Sequence, residues 1–282
     1  MTDFGGALKK IKEGEPYEIA IIGIPFDKKS SYLRGAADGP QAIRAASTVK
    51  SLNAWTELGL NLEQDTYLVD LGDIDVSEEY SEMSSRIQIR ILEILEKKAV
   101  PIVLGGDHSI SYPVVKAFAQ KFKTLDVLLF DAHPDLYEEL YGDRFSHACP
   151  FARIMEEGLA QNLIQVGIRA ATGAQRLKAL KHGVRMVEMK DIKHTLFLDF
   201  RNPLYISFDM DSLDPAFAPG VSHHEPGGLS TRQVLSIIQS LKAKIVGLDV
   251  VELNPSRDLT GITAAAAVKV IKEVAGKIIK GK

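Results

Sequence analysis

The sequence predicts an α/β fold with a mainly parallel sheet, and three observations support this. Short, almost continuously apolar runs recur along the chain, and stretches with helical periodicity separate them. Runs without polar alternation are typical of strands covered on both faces. Strands that alternate with helices form βα units with right-handed crossovers. The 282 residues contain no linker rich in Pro, Gly or Ser and no repeat, so we expect a single domain over 1–282.

The apolar runs predict eight strands, at 17–24, 66–71, 100–104, 125–130, 162–166, 184–187, 203–208 and 244–250. The helical patterns predict seven helices, at 39–50, 79–98, 110–121, 151–160, 175–182, 231–243 and 263–279. In the helix at 79–98, for example, Met83, Ile87 and Ile91 fall on one face and charged residues on the other.

Three longer connections, at 25–38, 136–150 and 212–229, follow strands and carry Gly, Pro, Ser and charged residues. In open α/β sheets the ligands bind beyond the carboxyl ends of the strands. We therefore expect these three loops to meet at that edge and to form the binding site.

The composition excludes several classes of protein. A net charge of −3 provides no basic surface for nucleic acid. No apolar run approaches the ~18 residues of a membrane span, and the first residues, MTDFGGALKKIKEG, lack the apolar core of a signal peptide. Cys149 is the only cysteine, which precludes a disulfide within the chain and fits a reducing compartment. We expect a cytoplasmic protein without nucleic-acid or membrane partners.

Ionisable side chains follow three of the predicted strands where the apolar runs end. They are His108, Asp131, His133, Asp135, Asp209 and Asp211. Alternate residues of an extended chain point to the same side, so we expect Asp131, His133 and Asp135 to share a face. For the same reason we expect Asp209 and Asp211 to share one. An unpaired buried carboxylate costs several kcal/mol or more, so this cluster requires cations.

The charge of this cluster favours two metal ions. Four carboxylates packed together keep a charge of about −2 with one divalent ion and about zero with two. Carboxylates with imidazoles and no thiolate suit Mn²⁺ better than structural zinc. Two ions about 3.5–4 Å apart can share a water and lower its pKa, which indicates a hydrolytic centre. For Asp107, Asp214 and Asp249, a helix cap or a turn is the simpler interpretation. Asp107 could also orient a neighbouring residue.

Several motifs together resemble those of the ureohydrolases, the arginase and agmatinase family. They are GGDHS, DAHPD, SFDMDSLDP, DVVELNP and the opening segment IAIIGIPFDKKSSYLRGAADGPQAIR. The similarity covers about 19–267. It implies a three-layer α/β/α fold with an eight-stranded parallel sheet, and a homo-oligomer, either a trimer or a hexamer. It also implies two Mn²⁺ ions per subunit and hydrolysis of a guanidino group by a bridging hydroxide, with urea and an amine as products.

The resemblance also implies a role for each motif residue. Asp131 and Asp209 match carboxylates that bridge the two metals, His108 and Asp135 match ligands of one metal, and His133 and Asp211 match ligands of the other. Asp135 also matches the group that accepts a hydrogen bond from the hydroxide. His147 matches a proton-shuttling histidine, and Glu252 matches the carboxylate that holds the guanidinium.

The loop at 136–145 favours agmatine as the guanidino substrate. It lacks the Asn and Ser pattern that arginases use for the α-carboxylate, and Glu138, Glu139 and Asp143 would favour a dication. The predicted reaction is therefore the formation of urea and putrescine. Arginine, guanidinobutyrate or formiminoglutamate are the alternative substrates, and a catalytically silent metal-binding homologue is the non-enzymatic alternative.

Two local features depart from this interpretation. His223 and His224 form an unusual pair before Pro226, where they could be solvated, shape the pocket or bind adventitious metal. Cys149 and His147 could suggest a thiol nucleophile and its base. A separation of two residues in a loop is poor geometry for that pair, so a buried, inert Cys149 is the better hypothesis.

Overall fold

The sheet of this computed structural model, which describes residues 4–5, 16–49, 52–76, 79–192 and 196–281, has eight parallel strands. Its order is β2-β1-β3-β8-β7-β4-β5-β6. The strands are β1 Ile19–Ile24, β2 Leu68–Asp73, β3 Val100–Gly105, β4 Asp126–Phe130, β5 Asn162–Ile168, β6 Arg185–Glu188, β7 Leu204–Asp209 and β8 Ile245–Val251. The predicted α/β fold is confirmed, and each predicted strand is present to within two residues at either end.

Seven α-helices connect and flank the strands in the described ranges. They are α1 Gly39–Ser47, α2 Tyr80–Glu96, α3 Ser111–Lys121, α4 Pro150–Glu156, α5 Gly173–His182, α6 Thr231–Ser240 and α7 Ile262–Lys280. Position 50, the last of the first predicted helix, lies outside the described residues. Both α5 and α6 begin with a capping box, in which a hydroxyl and a glutamine exchange hydrogen bonds with backbone amides. No helix in these ranges is both long and apolar enough to cross a membrane.

The helices cover the sheet on both faces, which explains why the strands are apolar throughout. In β1, Ile19 and Ile21 pack on one side with α1, α6 and α7, whereas Ala20 and Ile22 pack on the other side with α2 to α5. Full burial of an isoleucine side chain contributes about 1.5–3 kcal/mol. Each strand residue therefore has an apolar environment, whichever way it points.

Four neighbouring strands in the middle of the sheet, β3, β8, β7 and β4, precede the charged motifs. Because all strands are parallel, their carboxyl ends lie at one edge. Segments that are more than 100 residues apart in the sequence thereby meet around one point. We expected the charged motifs to meet beyond the carboxyl ends of the strands, and this strand order brings them there.

Gly106 allows two of these loops to approach each other closely. A Cβ atom at this position would lie 1.9 Å from the carbonyl oxygen of Phe26. The same carbonyl accepts a hydrogen bond from the amide of Asp107 at 2.8 Å. The loop after β1 is therefore held against the loop after β3 by a contact that only glycine permits.

We predict that Gly106→Ala destabilises the fold, because backbone must move to accept the methyl group. We expect a decrease of about 1–3 kcal/mol in the free energy of unfolding, measured by urea denaturation. Gly173→Ala is the matched control, because its Cβ would have no atom within 4 Å. Equal stability of the two variants would contradict this account.

Candidate active site

The imidazole of His108 stands at the centre of one half of the site. Its Nδ1 atom lies 3.3 Å from Asp131 Oδ2, 3.0 Å from Asp135 Oδ2 and 3.1 Å from Asp209 Oδ2. All four side chains are buried. Three carboxylates, from the end of β7 and the segment after β4, therefore converge on one ring nitrogen from the loop after β3.

His133 forms the second half of the site and shares one carboxylate with the first. Its Nδ1 atom lies 3.0 Å from Asp211 Oδ2 and 3.6 Å from Asp131 Oδ1. The two oxygens of Asp131 thus face different imidazoles, which is the arrangement expected of a bridging ligand. Asp209 differs, because its Oδ2 faces His108 while its Oδ1 accepts a hydrogen bond from the amide of Asp211 at 2.8 Å.

Unsatisfied polar atoms indicate that this cluster fits metal ions. Within the described chain, His108 Nδ1 and Asp131 Oδ2 are buried and make no hydrogen bond. Ligand atoms of His108, Asp131 and Asp209 lie within 4.8 Å of one another, as do those of Asp131, His133 and Asp211. These two groups share Asp131 and could hold two ions. Oxygen donors with one imidazole for each ion suit Mn²⁺.

Two of the carboxylates have raised pKa values, as expected where positive charge is lacking, whereas His133 outweighs burial and lowers the pKa of Asp211. Burial, together with the charges of Asp135 and Asp211, raises the pKa of Asp131 to about 6. Burial and the charges of Asp211 and Asp131 raise the pKa of Asp209 well above its usual range. The cluster therefore resists full ionisation by itself, whereas cations would favour the ionised carboxylates.

The backbone gathers these side chains in a way that differs from the extended chain predicted from the sequence. β4 ends at Phe130, and the following segment is irregular, with Asp135 in the left-handed region at φ 49°. Similarly, Asp211 lies in a short 3-10 turn after β7 rather than on an extended strand. The expectation of a shared extended face is wrong. Turns bring Asp131 and Asp135 to His108 and send His133 to Asp211.

A buried chain of hydrogen bonds supports His108 from behind. Ser207 Oγ lies 3.0 Å from His108 Nε2 and donates to Asp249 Oδ1 at 2.6 Å, and the hydroxyl of Tyr205 donates to Asp249 Oδ2 at 2.5 Å. Because Nε2 is engaged, Nδ1 is directed at the carboxylates. The sequence indicated a cap or a turn for Asp249, so its support of His108 was not predicted. Ser207 was not indicated either, because it has no distinctive signal inside an apolar strand.

His147 and Glu252 form a buried pair next to the cluster. His147 Nδ1 lies 3.0 Å from Glu252 Oε1, and the other ring nitrogen, Nε2, lies 2.9 Å from Ser31 Oγ. Burial alone would lower the pKa of His147, but the hydrogen bond and charge of Glu252 outweigh it and raise the pKa to about 9. His147 is therefore protonated at neutral pH and is a candidate proton donor.

Glu252 owes its position to a strained backbone. It has φ 63°, and its amide donates to the carbonyl of Gly106 at 2.8 Å. Its Oε1 atom accepts a hydrogen bond from the amide of His108 at 2.9 Å in addition to facing His147. A left-handed conformation costs a non-glycine residue about 1–2 kcal/mol, and such strain is concentrated at functional sites.

A pocket of about 210 Å³ opens onto these groups. Of the eight residues predicted for the site, six line it: His133, Asp135, His147, Asp209, Asp211 and Glu252. His108 and Asp131 lie beneath them, with no exposed surface. The remaining wall includes Ser31, Tyr137, Gln175 and His223. The structure therefore brings all eight predicted residues to one place.

The acidic residues of the loop at 136–145 do not provide the negative wall that the sequence suggested. Glu138 forms ion pairs with Lys178, Arg144 and Arg153, and Asp143 pairs with Lys29 at 2.6 Å. None of the three acids lines the pocket, since Glu138 and Glu139 are exposed and Asp143 faces Lys29. The electrostatic argument for a dicationic substrate is therefore not supported.

The histidine pair has two separate environments. His223 lines the pocket, with its ring centroid 5.3 Å from that of His147 and 6.0 Å from that of His133. His224 is exposed, and its Nε2 donates to the carbonyl of Pro219 at 2.7 Å. Of the alternatives considered for this pair, shaping the pocket therefore applies to His223.

Cys149 and the remaining aspartates have ordinary structural environments. Burial raises the pKa of the Cys149 thiol to about 12, so it is not a ready nucleophile. Asp214 accepts hydrogen bonds from the amides of Ala216 and Gly227, as expected of a turn residue. Asp107 caps a short 3-10 turn by accepting from the amide of Ser109 at 3.0 Å.

Comparisons with known proteins agree with this geometry. A model of the arginase family matches residues 17–276. The protein named "Arginase, mitochondrial" from Medicago truncatula is 42% identical over 293 residues, covering 98% of this chain and 87% of that protein. "Agmatinase, mitochondrial" from Gallus gallus is 34% identical, covering 92% and 81%. The solved arginase from Medicago truncatula superposes with a TM-score of 0.89 at 43% identity, covering 94% of this chain and 88% of that one.

We predict that Ser207→Ala weakens Mn²⁺ binding, because His108 Nε2 and Asp249 Oδ1 would both lose their partner. The expected dissociation constant is roughly 10- to 100-fold higher, measured by metal titration followed by calorimetry. Ser236→Ala, on the exposed side of α6, is the control. Unchanged affinity in Ser207→Ala would show that this chain does not orient His108.

Proposed function

The chain belongs to the arginase family, and we propose that it hydrolyses the guanidino group of L-arginine to urea and ornithine. The observation that carries the proposal is the position of Asp131. This buried carboxylate faces two imidazoles at once, next to the His147–Glu252 pair. The arrangement suits attack of water on a carbon that is bonded only to nitrogen, with a proton donor close by.

Two Mn²⁺ ions are the cofactor that we propose for this site. His108, Asp131, Asp135 and Asp209 would hold one, and His133, Asp131 and Asp211 would hold the other. When bound, such ions neutralise the carboxylates and lower the pKa of water, so that hydroxide is available near neutral pH. The resemblance implies that Asp209 also contacts the second metal. Here, however, its Oδ2 atom faces His108 and its Oδ1 atom accepts a hydrogen bond from the amide of Asp211.

The protein's own groups account for binding and proton transfer. The carboxylate of Glu252 lies at the pocket wall, where it can hold a planar guanidinium through charge-assisted hydrogen bonds. Asp135 is placed to accept a hydrogen bond from the attacking water. After the oxygen bonds to the guanidinium carbon, it gives up its remaining proton to Asp135, and the bond from that carbon to the alkyl-bearing nitrogen breaks. His147 donates the proton that this nitrogen needs to leave as a neutral amine.

Two observations favour arginine over agmatine. Identity is 42% to the arginase from Medicago truncatula and 34% to the agmatinase from Gallus gallus. The pocket is also lined by the hydroxyl and amide groups of Ser31, Tyr137 and Gln175. Such groups donate as well as accept hydrogen bonds, so they can bind the α-carboxylate of arginine, a group that agmatine lacks.

The reaction predicts urea release from arginine that depends on metal. We expect kcat/KM for arginine to exceed that for agmatine, guanidinobutyrate and formiminoglutamate by at least about tenfold, which corresponds to about 1.4 kcal/mol of transition-state discrimination. Chelation should abolish activity, and Mn²⁺ should restore it. Urea release and metal content are measured on the same sample.

Other outcomes of this panel have definite meanings. A preference for agmatine would retain the ureohydrolase chemistry and overturn the choice of substrate. Metal binding without turnover of any of the four compounds would indicate the silent homologue. Activity that survives complete metal removal would contradict the mechanism itself.

We predict that kcat falls as the pH rises through about 9, because His147 must be protonated to donate and its pKa is raised to about 9. Below that pH the donor is charged and available; above it the proton is lost. His147→Asn should lower kcat roughly 100-fold, with a much smaller change in KM, and should remove this alkaline decline. Steady-state kinetics between pH 7 and 10, in buffers of about constant ionic strength, test both points. A His147→Asn enzyme with undiminished kcat would exclude this role.

Oligomeric state and location follow from other reasoning and stay predictions. A trimer or hexamer rests on resemblance to the family, and the cytoplasmic location rests on composition. Sedimentation of the purified protein determines the first directly.

A further inference from the structure

The segment that carries His147 depends on other parts of the chain for its position. Between β4 and α4 it contains only turns, including a tight one in which Leu140 and Asp143 exchange backbone hydrogen bonds at 3.1 and 3.0 Å. The ring of His147 nevertheless meets Glu252 at 3.0 Å and Ser31 at 2.9 Å. Contacts from outside the segment must therefore hold it in register.

Lys29 makes two of these contacts, and a third hydrogen bond anchors it elsewhere. Its carbonyl accepts a hydrogen bond from the amide of His147 at 3.3 Å. Its amide donates to Asp107 Oδ2 at 2.9 Å, which anchors it to the loop after β3. Its ammonium group donates to Asp143 Oδ2 at 2.6 Å. Lys29 thus binds the His147 segment at Asp143 and at His147, and Asp107 in the loop after β3 holds Lys29 in place.

Two aromatic rings and a backbone amide surround the Lys29–Asp143 ion pair. The ammonium of Lys29 lies 5.3 Å from the ring centroid of Tyr80, and that ring stacks on Phe145 at 5.1 Å. The other oxygen of Asp143, Oδ1, accepts from the amide of Phe145 at 2.8 Å. The ion pair and the stacked rings therefore hold Asp143 and Phe145, which precede His147 in the same segment.

The geometry points to Lys29 as a positioning residue for proton transfer, acting on His147 through its carbonyl and through the ion pair with Asp143. This inference rests on the proposed function of His147. Lys29 does not line the pocket and so need not contact substrate. The pair is also half-exposed, with 23% and 37% of the side chains accessible. Such pairs contribute little to overall stability, so its loss should loosen the segment without unfolding the protein.

The test compares Lys29→Met, Lys29→Arg and Asp143→Asn with wild type in urea release from arginine. Methionine keeps a long side chain without charge, and asparagine keeps the Oδ1 acceptor for Phe145. We expect Lys29→Met and Asp143→Asn each to lower kcat roughly tenfold, with KM, Mn²⁺ content and melting temperature unchanged. Lys29→Arg should recover most of the rate. The double variant should be no slower than either single one, because both remove the same interaction.

The matched control is Lys190→Met. It breaks the ion pair between the exposed Lys190 and Glu188, the last residue of β6. A second readout does not depend on turnover. It is the ring resonances of His147 in ¹⁵N-histidine-labelled protein, assigned from His147→Asn and recorded with diamagnetic Mg²⁺ in place of paramagnetic Mn²⁺. They should shift in Lys29→Met and Asp143→Asn and stay in place in Lys190→Met.

The outcomes separate this inference from the proposed function. Wild-type protein that releases urea from none of the four substrates contradicts the proposed function, and the His147 resonances then decide the inference alone. Active wild type with unchanged kcat and unchanged resonances in Lys29→Met overturns the inference only. A lower melting temperature with unchanged kcat would mean that Lys29 serves stability instead.

Discussion

The burial of four carboxylates around two imidazoles is the constraint on which the site depends. Each carboxylate loses solvation and repels its neighbours, so the cluster is unfavourable until positive charge enters it. The raised pKa values of Asp131 and Asp209 express this directly. The parallel sheet supplies the rigid frame that holds such a cluster together, because four neighbouring strands deliver their carboxyl ends to one edge.

Around this cluster, polar groups are oriented by buried hydrogen-bond partners. Ser207 and Asp249 determine which nitrogen of His108 faces the carboxylates. Glu252 has a left-handed backbone and pairs with His147. The strain in that conformation is tolerated because the amide of Glu252 and its carboxylate both find buried partners in the loop after β3. Reactive groups are thereby held in place before substrate arrives.

Ion pairing and exposure keep the acids of the loop at 136–145 out of the lining of the pocket. The acids of the loop at 136–145 are numerous in the sequence, yet Glu138 is paired with three basic side chains and Asp143 with Lys29. The same pairing that removes negative charge from the pocket also anchors the His147 segment. The acids of this loop therefore add no negative charge to the lining of the pocket.

The sequence by itself determined the alternation of strands and helices, and it predicted eight residues that the structure brings to one place. Burial on both faces imposes continuous apolar runs on a parallel strand, and the charged motifs directly follow those runs. The tertiary structure alone decided three further things: the turns at 131–135, the placement of Ser31 and Ser207, and the cation that each acid meets. These depend on contacts such as Ser31 with His147 and Lys29 with Asp143, which join residues more than 100 positions apart. Local periodicity carries no information on such contacts, because their energies arise only when the folded backbone brings distant groups together.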